Sequence, residues 1–71
     1  MSTSERNNLL RYIALTYSEQ NRPKDACSIM AKLCKKSPQV AALHREYAFA
    51  LANYSQFDKA ERELNRAIEL I

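Results

Sequence analysis

The sequence predicts an all-α chain: four helices folded as two antiparallel hairpins. Three observations carry that expectation. Apolar residues recur at intervals of three and four along the whole chain, with no sustained alternation of period two. Glycine is absent, which removes the residue that a turn-dense β fold uses for left-handed positions. The polar breaks between the apolar runs are short, and short helix–helix connections make neighbouring helices antiparallel.

The first helix is expected over about 4–20, where Leu9, Leu10, Ile13, Ala14 and Tyr17 share one face. Asn21 tolerates a left-handed exit, and Pro23 suits the first turn of the next helix. That second helix, about 23–36, is carried by Ala26, Ile29, Met30, Leu33 and Cys34. Lys32, Lys35 and Lys36 crowd its C-terminal end, where the helix dipole favours cations. The third helix, about 39–53, is carried by Val40, Leu43, Tyr47 and Phe49 to Leu51. Ser37 is expected as its N-cap, with Pro38 at the first helical position. Phe57, Ala60, Leu64, Ala67 and Ile68 predict the fourth, about 57–70. Ser55 with Asp58 three residues later reads as its capping box. On its outer side Asp58–Arg62 and Lys59–Glu63 have i,i+4 spacing, and Glu63–Arg66 and Arg66–Glu69 have i,i+3 spacing.

Composition narrows the function classes. Seventy-one residues, 46% apolar and 27% charged, make one small globular domain over 1–71 rather than a disordered chain. Without glycine there is neither a dinucleotide-binding fingerprint nor a P-loop. The net charge is +3: through Pro38 there are seven basic and three acidic residues, and after it four and five. Lys35-Lys36 is the only adjacent basic pair. Nucleic-acid binding through the mildly basic first half is therefore a weak alternative, with no aromatic-interleaved basic stripe behind it. The opening MSTSERNNLL has no apolar core behind a basic tip, and no apolar run approaches membrane-spanning length. A cytoplasmic location with no membrane partner is the expectation. Cys27 and Cys34 lie seven apart on one helix, roughly 10.5 Å along its axis and beyond the roughly 7 Å reach of a disulfide. They are read as separate thiols that pack like small apolar residues.

Catalytic and metal chemistry find little footing. His44 is the only histidine, and with Cys27 and Cys34 it has neither zinc-finger spacing nor an evident fourth ligand. It is read as a packing residue near the start of the third helix. Glu61 and Glu63 are read as part of a solvated outer face. No nucleophile with a base, cleft and oxyanion hole stands out. The chain is expected to be no enzyme and to need no cofactor or metal.

A shift of 34 residues superimposes the alanines, Ala14 on Ala48 and Ala26 on Ala60. Leu10 falls on His44, Ile13 on Tyr47, Tyr17 on Leu51, Met30 on Leu64 and Cys34 on Ile68. With this period of paired helices the chain resembles the tetratricopeptide repeat family, as two units over about 7–40 and 41–71. Ile13, Ala14, Tyr17, Ala26, Met30, Leu33 and Pro38 carry the pattern in the first; Tyr47, Ala48, Leu51, Phe57, Ala60, Leu64 and Ala67 carry it in the second. It departs at the Trp-like position (Leu10, His44), at the turn glycine (Asn21, Ser55) and at Leu33, which replaces an alanine.

The resemblance implies a short right-handed array whose first helices line a concave groove. It places Asn8, Arg11, Leu15, Ser18 and Glu19 from the first helix and Ala42, Arg45, Phe49, Ala52 and Asn53 from the third on that groove. Leu15 and Phe49 would form an apolar floor or, alternatively, belong to the core of a compact bundle. Arg11 and Arg45 would take acidic or polar groups of a helical or extended peptide. A carboxylate clamp is not implied, because asparagine would be needed where Leu15 and Phe49 stand. Leu64, Ile68 and Ile71 would leave an apolar face on the last helix, so self-association or a constitutive partner is expected. Size, repeat type and groove character resemble the small tetratricopeptide cochaperones of bacterial type III secretion, which with a small helical companion hold an aggregation-prone needle subunit. A scaffold fragment of a larger tetratricopeptide protein is the alternative.

Overall fold

A computed structural model describes residues 2–71, with Ser4 described by its backbone alone. Its elements are α1 (Thr3–Glu19), α2 (Pro23–Lys36), α3 (Ala41–Asn53) and α4 (Phe57–Glu69). Each helix packs on the next, so α1–α2 and α3–α4 are hairpins stacked through α2 and α3. The result is a slab of 35 × 30 × 14 Å.

The two hairpin turns are built alike, 34 residues apart. Asn21 and Ser55 are left-handed, with φ of 58° and 61°. Beyond them, Arg22 N–H donates to Tyr17 O and Gln56 N–H donates to Leu51 O, each at 2.8 Å. Asn21 N–H donates to Ser18 O at 3.1 Å and Ser55 N–H to Ala52 O at 3.0 Å. Both turns are thus Schellman closures, which satisfy the last carbonyls of a helix. Pro23 then starts α2, where its missing N–H costs nothing. Arg22 holds the first turn from outside, pairing with Asp25 at 2.8 Å and lying 4.6 Å from the Tyr17 ring centroid.

Three local expectations are corrected. Ser37 does not cap α3; it closes α2, its N–H donating to Leu33 O at 2.9 Å. The residue before a proline resists the helical region, so Ser37-Pro38 ends the first hairpin instead of opening the second. Pro38 lies in a turn, and α3 starts at Ala41 behind Val40. Ser55 forms no capping box, because its left-handed backbone closes α3; Gln56 stands at the N-cap of α4 without a side-chain bond. The ion pairs expected along α4 also do not form among the described residues. Glu63 turns from the outer face toward His44.

The core lies along α2. Ala26, Cys27, Met30, Leu33 and Cys34 are its buried face, packed with Ala14 of α1 and Leu43, Ala50 and Leu51 of α3. Among the described residues Leu33 is the most deeply buried large side chain, at 1% exposure. Ala48 and Ala67 are buried on α3 and α4. Burial pushes the Cys27 thiol up, and burial, reinforced by Glu63 and Glu46, pushes the Cys34 thiol up to about 12. Both cysteines are free. Among the described residues, no helix is long and apolar enough to cross a membrane.

His44 sits in the joint between the hairpins at 3% exposure. Its Nε2 meets Pro38 O at 2.8 Å and its Nδ1 meets Glu63 Oε1 at 2.7 Å. A carbonyl only accepts, so Nε2 carries a proton and donates it. With Nε2 protonated, the hydrogen bond between Nδ1 and the carboxylate requires one further proton, on the ring or on Glu63. The ring therefore ties the α2–α3 turn to α4.

Candidate partner-binding groove

On one face of the slab, α1 and α3 form the walls of a groove of about 610 Å3 over α2. Helical spacing builds the walls. Asn8, Arg11, Tyr12, Leu15 and Ser18 recur at three and four along α1, as do Arg45, Glu46 and Phe49 on α3. The floor consists of Ala26 and Met30 of α2, flanked by Ala14 and Ala50. Three alanines keep the floor low: a larger side chain at any of them would fill the space.

Six of the expected groove positions meet here: Asn8, Arg11, Leu15, Ser18, Arg45 and Phe49. The other four do not line it. Glu19, Ala52 and Asn53 are exposed in the last turns of their helices, and Ala42 is half-buried in the first turn of α3. Leu15 and Phe49 are 49% and 62% exposed, so they are not core residues. They stand as an apolar pair on opposite walls. Tyr12, 69% exposed, adds an aromatic that the sequence reading missed. Its signal was present: Tyr12 and Glu46 are themselves 34 apart and lie one turn before Leu15 and Phe49.

The two arginines differ. Arg11 is held by Glu46 across the groove: Nε donates to Oε1 at 2.9 Å, and Nη2 pairs with Oε2. Nη1 also donates to Asn8 Oδ1 at 3.2 Å. The hydrogen bond that Arg11 donates to Glu46 raises its guanidinium above the usual value. Arg11 is thus a strut between α1 and α3 while still lining the groove. Arg45 is exposed on the groove wall and makes no ion pair among the described residues. Equivalent positions diverge because an acid stands within reach of only one of them.

A second apolar surface lies on α4. Phe57, Leu64 and Ile68 are 66%, 45% and 62% exposed, and Ile71 follows the helix at 93%. Spacings of seven, four and three put them on one side of the helix. Only Ala67 of α4 is buried.

Compared with known protein families, curated proteins and solved structures, the chain matches none of them.

Proposed function

We propose that this chain is a non-enzymatic protein-interaction module whose groove holds an apolar segment, helical or extended, of a partner protein. The observation that carries the reading is the pairing of Leu15 and Phe49 on opposite walls, both substantially exposed, above a floor of small residues. An isolated domain gains nothing from leaving three large apolar side chains along one concavity. Covering the exposed half or more of each returns about 1–2 kcal/mol before ordering costs. Arg45 supplies one cationic group, so the segment carries an acidic residue beside its apolar face. Such a protein works as the small tetratricopeptide cochaperones of type III secretion needle subunits do, by covering a surface that would otherwise aggregate. A cytoplasmic site of action and a small helical companion belong to the same proposal.

Phe49→Ala tests it on the partner that co-purifies with the chain. Binding should weaken by about 2 kcal/mol or more, as for interface aromatics, while the melting temperature of the free chain stays nearly unchanged. Arg45→Glu should weaken the same complex and make the residual binding less sensitive to salt. A collapsed melt with intact binding per folded molecule contradicts the reading.

A second reading, as a scaffold unit of a longer tetratricopeptide array, is favoured by α4. Phe57, Leu64 and Ile68 stand where another helix would pack. Recovery of a longer parent polypeptide from the source cell supports that reading. For the isolated chain, the same stripe predicts self-association. Light scattering should show apparent mass rising with concentration. Ile68→Glu should reduce that rise, and a monomer at every concentration contradicts it.

A further inference from the structure

The joint between the hairpins brings together three side chains that the groove does not use. Cys34 of α2, His44 of α3 and Glu63 of α4 each place a ligand atom within 4.8 Å of the other two. Cys34 and His44 are buried and Glu63 is half-buried. We propose that Cys34, His44 and Glu63 form a zinc-binding site that locks α2, α3 and α4 together.

The donor set suits this ion. Zinc takes sulfur, imidazole nitrogen and carboxylate oxygen at about 2.0–2.3 Å, which sets neighbouring ligand atoms of a tetrahedron about 3.5 Å apart. To reach that spacing Cys34 Sγ closes from 4.8 Å or less, while Nδ1 and Glu63 Oε1 open from 2.7 Å, both by side-chain rotation. The imidazole is already oriented: Nε2 donates to Pro38 O at 2.8 Å, leaving Nδ1 toward the carboxylate. Ligating histidines are commonly fixed by such an outer-shell hydrogen bond. Glu63, reaching toward solvent with 24% of its side chain exposed, gives the ion a way in. Three protein ligands leave the fourth position to water.

Charge closes as well. Binding replaces the thiol proton of Cys34 and the proton between Nδ1 and Glu63, releasing both to solvent. One thiolate and one carboxylate then balance the two positive charges, with a neutral imidazole completing the set. A buried site with no net charge avoids the cost of an unpaired ion. Burial first, then the charges of Glu63 and Glu46, keeps the metal-free thiol protonated.

The test is titration of the full chain with Co2+ and then Zn2+ near neutral pH. A single Co2+ should give a thiolate-to-cobalt charge-transfer band in the near ultraviolet, which Zn2+ then bleaches. Zn2+ should also raise the melting temperature. Cys34→Ala should abolish the band and the thermal shift, and Cys27→Ala should keep both. Glu63→Gln is the safer variant for folding, because its side chain is partly exposed. It should weaken binding by more than the about tenfold to hundredfold that loss of an outer-shell partner costs. The competing account is a hydrogen-bonded core pair only. It is established, and the proposal overturned, by the absence of both band and thermal shift in the folded wild type. Binding that survives both Cys34→Ala and Glu63→Gln also overturns it.

Discussion

Leu33→Ala is expected to unfold most of the chain near room temperature. Leu33 lies on the buried face of α2, the helix packed against both α1 and α3, and is 1% exposed. Removing its side-chain methyl groups loses their transfer energy and leaves a cavity that helices on both sides cannot close together. That combination costs about 2–5 kcal/mol. A single core of this size supplies about 3–5 kcal/mol in all, so the loss is comparable to the whole stability. Circular dichroism against temperature checks it. In a domain this small the melt moves about 4–8 °C per kcal/mol. A shift of only a few degrees would mean that α2 is not the central helix. Phe49→Ala removes a larger side chain and is the control: exposure, not size, sets the cost.

The second large effect is expected at Ala26, whose side chain has no exposure. Ala26→Phe must push α1 away from α2 or drive the ring upward into the groove. Overpacking of this kind costs about 1–3 kcal/mol and sometimes more. Any molecule that folds by the upward route has a blocked floor, so partner binding should fail even where the melt survives. Its repeat equivalent behaves differently. Ala60 is only half-buried, and a ring there can turn outward beside the uncovered face of α4. Ala60→Phe should therefore cost clearly less, and Lys59→Phe, at an exposed position, nearly nothing. Denaturant melts of the three variants rank them. Equal tolerance at Ala26 and Lys59 would contradict the packing described for α1 and α2.

The architecture was legible because it rests on local signals. The three-and-four recurrence located every helix to within about two residues of its ends. Asn21 announced its left-handed turn by residue type, since asparagine tolerates that region. Where residue type was ambiguous, the reading slipped. Serine serves at either end of a helix, and both Ser37 and Ser55 close the helix before them rather than open the one after.

The groove was legible in part for a different reason. Side-chain rows along α1 and α3 follow from period alone, which brings Leu15 and Phe49 to facing walls. What the chain does with its charges is not local. Arg11 and Glu46 are 35 residues apart, and His44 and Glu63 are 19 apart. No spacing rule joins such pairs; they meet only once α1 and α3 flank α2 and α4 packs on α3. Glu63 has ideal helical spacing to Lys59 and Arg66, yet it takes the buried imidazole. An exposed i,i+4 pair is worth only a few tenths of a kcal/mol, whereas a buried ring nitrogen left unpaired costs about 1–3 kcal/mol.

The groove claim is tested most directly by site-specific photocrosslinking in the source cell, with a photoreactive phenylalanine analogue placed at Tyr12 or at Phe57. Both are exposed aromatics, 69% and 66%, so neither replacement disturbs the core. They sit on different surfaces, Tyr12 on the groove wall and Phe57 on α4. A covalent adduct with the partner from Tyr12 and none from Phe57 is the predicted result. An adduct from Phe57 with none from Tyr12 would contradict the account, placing the partner on α4 and leaving the groove without a ligand.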